Sequence, residues 1–205
     1  MLGTVLCILG WMGTIMVCAL PQWKVMVLAD PFIQTRQATW EGIWMMCAIQ
    51  STGQIQCKAF DSALVPSSDI LTARALIIAS ILLGTLASLL CLAGGKCTNC
   101  VWDQGTKIKI CVASGVFFIL AGVLCLIPVC WTANSVINDL PHPGTFSRYG
   151  EKTKLGAALF IGWGSSALLI IGGGLLGGAF LCANCQPKDD YPTKSPPSSV
   201  PNNFI

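Results

Sequence analysis

Trp40-Glu41-Gly42-Ile43-Trp44-Met45-Met46-Cys47, followed by Cys57 after nine intervening residues, is the stretch that decides the fold. Two tryptophans, a glycine and a cysteine pair fall in a polar segment between two long apolar runs. Trp40 to Cys47 and Gln54 to Phe60 read as strands, with Ser51-Thr52-Gly53 turning between them. A Cys47–Cys57 disulfide would close this hairpin and contribute roughly 3 kcal/mol in the chain-entropy account, whose mechanism is disputed. Such a bond needs an oxidising compartment, so the segment is expected to face the outside of the cell.

The flanking sequence is that of a membrane protein. The chain is 54% hydrophobic and 10% charged, with a mean hydropathy of +0.69, far from soluble globular usage. Apolar runs at Met1 to Leu20, Ile70 to Gly95, Ile108 to Val129 and Leu155 to Leu181 each approach the ~20 residues that span a bilayer. Four transmembrane helices are therefore expected. The first run lacks a basic n-region, and Leu20-Pro21-Gln22 is a poor cleavage context, so it reads as a helix that the chain starts inside rather than as a cleaved signal. The expected division is 1–20 (first helix), 21–72 (first external segment), 73–95 (second helix), 96–109 (internal loop), 110–131 (third helix), 132–154 (second external segment), 155–181 (fourth helix) and 182–205 (tail). A net charge of +3 gives no support to a nucleic-acid partner.

Charge alone orients the chain weakly, because the loop Lys96 to Lys109 holds three lysines while the external connections are also basic. The cysteine pair decides: with Cys47 and Cys57 outside, both termini lie in the cytoplasm. Trp23 and Trp131 stand at helix ends, where indoles suit the headgroup level. Trp23, Trp40 and Trp44 read equally well as interfacial anchors or as local core. Arg74 opens the second helix, either snorkelling to the interface or tying the external segment to the helix end. Pro128 is expected to bend the third helix near its outer end. In the fourth helix, Gly173 with Gly177 and Gly174 with Gly178 form small-xxx-small pairs, read as packing within the bundle before contact between subunits.

Two CxxC pairs, Cys97 with Cys100 and Cys182 with Cys185, raise a zinc reading. Both pairs sit at helix–cytosol boundaries, where S-palmitoylation is the preferred reading, ahead of free thiols and then zinc. Cys7, Cys18, Cys91, Cys111, Cys125 and Cys130 lie in apolar runs and read as small buried hydrophobes. His142, the single histidine, has no partner at metal-ligand spacing and reads as a loop residue in Pro141-His142-Pro143-Gly144. No cofactor is called for. From Gln186 onward, five prolines and three serines in twenty residues read as disordered, ending Asn203-Phe204-Ile205. An apolar free C-terminus such as Phe204-Ile205 can add as a strand to a PDZ domain.

These residues together resemble the claudins, four-helix proteins of epithelial tight junctions in the plasma membrane. The family pattern of a tryptophan, Gly-Leu-Trp and two cysteines stands here as Trp23, Gly42-Ile43-Trp44, Cys47 and Cys57, with isoleucine for leucine. Arg74 falls at the family's arginine, and Pro21-Gln22-Trp23-Lys24, Gln50 to Cys57, Gly94 to Cys100 and Gly162-Trp163 are also family-like. The resemblance covers nearly all of the chain except the tail. It implies a left-handed four-helix transmembrane bundle with a small extracellular antiparallel β-sheet, one strand of which comes from the second external segment. It further implies polymerisation with itself and other claudins into strands that seal or selectively open the intercellular space, and binding of zonula occludens PDZ scaffolds.

The chain departs from the family at the expected assembly contacts. Asp139-Leu140-Pro141-His142-Pro143 replaces an aromatic pair, and Ala63 stands where a bulky apolar residue is common. The resemblance makes Ala63, Leu140 and Pro141 the contacts between neighbours along a strand, weakened here. The toxin-binding Asn-Pro-Leu pattern is absent, with His142-Pro143-Gly144 in its place, and the tail ends Phe-Ile instead of Tyr-Val. By the same resemblance Lys58, after the second cysteine, lines the ion path and disfavours cations, whereas Ala48, after the first, carries no charge. A solvated strand lysine is the competing reading. The rival function is an auxiliary subunit of the calcium-channel gamma type, which shares the tryptophan and cysteine pattern. An enzyme or pump is a poor third, since no acidic residue or histidine lies inside the four predicted helices as a proton or ion relay would require.

Overall fold

The computed structural model describes residues 2–28, 37–49, 53–60, 68–94, 104–138 and 151–184. Helices α1 (Leu2–Ala19), α2 (Ser68–Gly94), α3 (Gln104–Asn138) and α4 (Ala157–Asn184) form the bundle. Strands β1 (Lys24–Leu28), β2 (Gln37–Glu41), β3 (Met45–Ile49), β4 (Ile55–Ala59) and β5 (Glu151–Leu155) form one antiparallel sheet in the order β4-β3-β2-β1-β5. Among the described residues, four helices are long and apolar enough to cross a membrane. The bundle surface is itself apolar: Leu82, Leu89 and Leu92 on α2 and Ile171 on α4 are exposed, as side chains facing lipid should be.

Helix α4 packs closely against both α1 and α3, and small residues make this possible. A Cβ on Gly173 would come within 2.6 Å of the Gly115 carbonyl oxygen on α3, and one on Gly172 within 2.7 Å of the Cys7 sulfur on α1. Polar groups inside the bundle are satisfied locally or across helices. Ser80 on α2 donates to the Ala121 carbonyl on α3 at 2.7 Å, and the Trp11 indole on α1 donates to the Ile81 carbonyl on α2 at 3.3 Å. Thr14 and Ser166 bond back to carbonyls one turn earlier on their own helices. Unsatisfied, each such group would be costly in hydrocarbon.

The structure corrects three details read from the sequence. Trp40 to Cys47 is not one strand: β2 ends at Glu41, Gly42-Ile43-Trp44 turns, and β3 begins at Met45, with the Gly42 N–H donating to the Met45 carbonyl at 2.9 Å. Helix α3 extends past Trp131 to Asn138, because Ala133 and Val136 on its last turns are buried and Ala133 joins the core with Ile43 and Ala73. Among the described residues, the cysteines read as buried hydrophobes are not uniformly so: Cys7, Cys111 and Cys125 are buried, Cys18 and Cys91 are half-buried, and Cys130 is exposed. Helix α3 runs through Pro128 unbroken.

Candidate functional site

The sheet is joined to the bundle through the residues singled out in the sequence. Trp23 is core: it is 3% exposed, its indole donates to the Val17 carbonyl of α1 at 3.0 Å, and its backbone N–H donates to the Glu41 carbonyl at 3.0 Å. One residue, through its side chain and its backbone, thereby fixes the end of α1 to the start of the sheet. The Trp23 carbonyl accepts from Gly156 N–H at 3.1 Å, and the Gln22 carbonyl accepts from Ala158 N–H at 3.0 Å, joining the β5–α4 corner to the same point. A Cβ on Gly156 would overlap the Gln22 carbonyl, so only glycine fits there.

Gly42 is held by the same kind of close approach. A Cβ at this position would lie 2.5 Å from the Pro21 Cα, and backbone cannot move aside cheaply. The turn this glycine permits drives Ile43 into the core, where it is 3% exposed beside Ala73, Ile77 and Ala133. Trp44 instead faces outward, 39% exposed, with its indole N–H donating to the Cys18 sulfur at 3.4 Å.

Arg74 closes the joint. Its Nε donates to the Ile43 carbonyl at 2.6 Å, and its guanidinium carbon sits 4.9 Å from the centroid of Trp44 and 5.7 Å from that of Phe60. The charged side chain ties α2 to the sheet rather than snorkelling free, in a geometry suited to cation–π attraction. Phe60 and Gly156 are contributors that the sequence reading did not single out, and Ile43 was named there only for standing in place of leucine between Gly42 and Trp44. For Phe60 the available signal was an aromatic three places after a paired cysteine.

Cys47 and Cys57 stand opposite each other on β3 and β4 and are joined by a disulfide. Cys47 is buried while Cys57, like every residue of β4, is exposed. Lys58 stands opposite Met46, and the register places Leu155, Lys24, Glu41, Met46 and Lys58 side by side across all five strands on one face. Glu41 is two strands from Lys58, about 10 Å at the usual strand spacing. At that distance in water the attraction is about 0.4 kcal/mol before screening. Ala48 and Gln56, a neighbouring pair on the same face, carry no charge. Ala63, Leu140, Pro141, Cys97, Cys100, Cys185, Phe204 and Ile205 lie outside the described residues, and Cys182 is placed only as part of the α4 backbone.

A bundle of four spanning helices carrying a disulfide-braced sheet, with helix and sheet locked by an arginine, defines a class of multi-pass membrane protein. Residues 1–176 match the PMP-22/EMP/MP20/Claudin family, and the chain belongs to it. It is similar to Claudin-like protein ZF-A89 of Danio rerio, 52% identical over 209 residues and covering 100% of this chain and 97% of that one. It is 49% identical to Claudin-4 of Bos taurus, over 93% of this chain and 88% of the relative. It is also 49% identical to Claudin-3 of Mus musculus, over 94% and 85% respectively. The claudin family is one of structural junction proteins, not of enzymes.

Proposed function

We propose that this chain polymerises into tight-junction strands between neighbouring cells and restricts the passage of cations through the paracellular space. In this reading the sheet faces the extracellular space and both termini face the cytoplasm. The Cys47–Cys57 disulfide supports that orientation, because such bonds persist in oxidising compartments. The observation that carries the selectivity is Lys58, exposed on the edge strand β4 and flanked across the ladder by Met46 instead of a carboxylate. A lysine about 4 Å from a passing ion shifts its energy by ~1 kcal/mol in water, and more beside low-dielectric walls. Repeated around a polymer, that charge disfavours cations several-fold.

The strand contacts fall to Ala63, Leu140 and Pro141, and the partners are further copies and other claudins. The tail, through Phe204 and Ile205, docks PDZ scaffolds of the zonula occludens type. Acyl chains on Cys97, Cys100, Cys182 and Cys185 hold the cytoplasmic helix ends against lipid. The test is expression in fibroblasts that lack strands, followed by freeze-fracture imaging and then dilution potentials in an epithelial sheet. Continuous strands are expected, and Lys58→Asp should raise the sodium-to-chloride permeability ratio by roughly tenfold, the effect of about 1.4 kcal/mol. An unchanged ratio would remove Lys58 from the ion path. Surface expression without strands would favour an auxiliary-subunit role.

A further inference from the structure

Between the sheet and the α2–α3 pair lies an open-sided cavity of about 210 Å³. Its α2 wall runs from Asp69 to Leu76 and its α3 wall from Pro128 to Val136, about 10 Å of each helix at 1.5 Å per residue. Ile43, Ala73, Leu76, Pro128 and Val136 make much of that wall apolar. Two hydroxyls interrupt it: Thr132 and Ser135, both half-buried, stand three positions apart on α3 and so share one face. Elsewhere in the bundle Thr14, Thr85, Ser88 and Ser166 each donate to the carbonyl four residues earlier. Neither Thr132 nor Ser135 does so, and neither has another side-chain hydrogen bond among the described residues. The charged residues at the sheet end do not call for a ligand ion. Lys24 stands opposite Glu41 across the β1–β2 ladder and has an interaction of its own, and Asp69 lies in the first turn of α2, where the helix dipole favours a carboxylate.

We propose that the cavity binds the hydroxyl-bearing end of a membrane sterol. A sterol carries one hydroxyl on a rigid apolar body, which matches two side-chain hydroxyls, each able to donate and to accept, set in an aliphatic wall. A phospholipid would bring a phosphate, for which the lining offers one lysine against two carboxylates. A rigid ring system also loses less conformational freedom on entering than flexible acyl chains do. The polarity runs the right way: Thr132 and Ser135 lie nearer the outer end of α3 than Pro128 does. The sterol hydroxyl then sits at the level of the sheet and its rings point past Pro128 and Leu76 toward the bilayer centre. Sites that enclose drug-sized ligands run to roughly 300–1,000 Å³, so this space takes part of the molecule and its open side leaves the rest in lipid.

The site belongs to one protomer and does not depend on strand assembly, so it stands or falls separately from the proposed junctional function. The test is binding of radiolabelled cholesterol to the purified full chain in sterol-free maltoside micelles, in competition with the same ring system lacking the hydroxyl. Saturable binding is expected, with the hydroxyl-free competitor about fivefold weaker, the effect of one neutral hydrogen bond. Thr132→Val with Ser135→Ala keeps the shape of the wall and should erase that difference. Ser135→Leu, which fills the space, should weaken binding of both sterols alike. Each variant's melting temperature without sterol reports whether it has folded, and the two variants are independent. Uptake that does not saturate, or equal competition by the hydroxyl-free sterol in the parent chain, would overturn the site. So would parent-like discrimination in either folded variant, or displacement of cholesterol by equimolar diacylglycerol.

Discussion

The Nε of Arg74, near the start of α2, donates to the backbone carbonyl of Ile43 at 2.6 Å, across thirty-one positions of sequence. A hydrogen bond from a charged donor contributes about 1.5–3 kcal/mol, and the stacking on Trp44 adds to it. Arg74→Ala should therefore lower the thermal stability of the purified chain by roughly 2–3 kcal/mol, as read by tryptophan fluorescence on heating. Arg74→Lys keeps the charge but lacks the planar fork, and should recover less than half of the loss. Equal stability of all three proteins would mean that the arginine does no more than reach water.

Neighbouring glycines on α4 should behave oppositely. Gly173→Ala places a methyl 2.6 Å from the Gly115 carbonyl oxygen and 2.9 Å from the Ile119 side chain, and forcing the helices apart should cost about 1–3 kcal/mol. A Cβ at Gly174 meets nothing within 4 Å in the protomer, so Gly174→Ala should change stability by no more than about 0.5 kcal/mol. The pair is compared by melting temperature in detergent, where the first variant should fall and the second should not. Loss of strands by a stable Gly174→Ala protein would show that this face meets a neighbouring subunit.

The disulfide offers a test of both stability and sidedness. Cys47→Ser with Cys57→Ser should cost roughly 3 kcal/mol in the chain-entropy account, measured against the parent chain without reductant. In Cys47→Ser alone, the remaining thiol at the exposed position 57 should react on intact cells with a membrane-impermeant maleimide. Labelling only after permeabilisation would place the sheet in the cytoplasm.

The helices were legible because a bilayer demands long apolar runs, and little else in the chain could produce them. The cysteine pair was legible from its spacing around a turn. The strand break at Gly42 was not, because tryptophan and isoleucine favour extended backbone and the residue that Gly42 packs against, Pro21, is twenty-one positions away. Nor was the end of α3 visible: Thr132 to Asn138 is mostly polar, and Ala133 is buried in a core assembled from residues distant in sequence, among them Ile43, Ala73 and Ile77. Strand β5, Glu-Lys-Thr-Lys-Leu, has no apolar alternation and is recruited by pairing with β1, so residue pattern alone could not have placed it. The resemblance, not the pattern, supplied that expectation. At the site, Trp23, Gly42 and Arg74 could be named beforehand, but their joint action rests on carbonyls that no sequence pattern displays.

Strands β1 and β5, paired to each other, run directly into α1 and α4, while β4 lies four ladder steps from β5, about 19 Å away. Between these ends, among the described residues, β2 and β3 share three register pairs, whereas the other ladders each have five, and the β3–β4 ladder is also covalently bonded. A sideways pull on the edge strand would therefore not be shared evenly. It would open the β2–β3 seam first, releasing the cystine hairpin as one piece and sparing the root of the sheet. Arg74 grips the Ile43 carbonyl in the turn joining those two strands, so the sheet has a mechanical fuse with a latch across it.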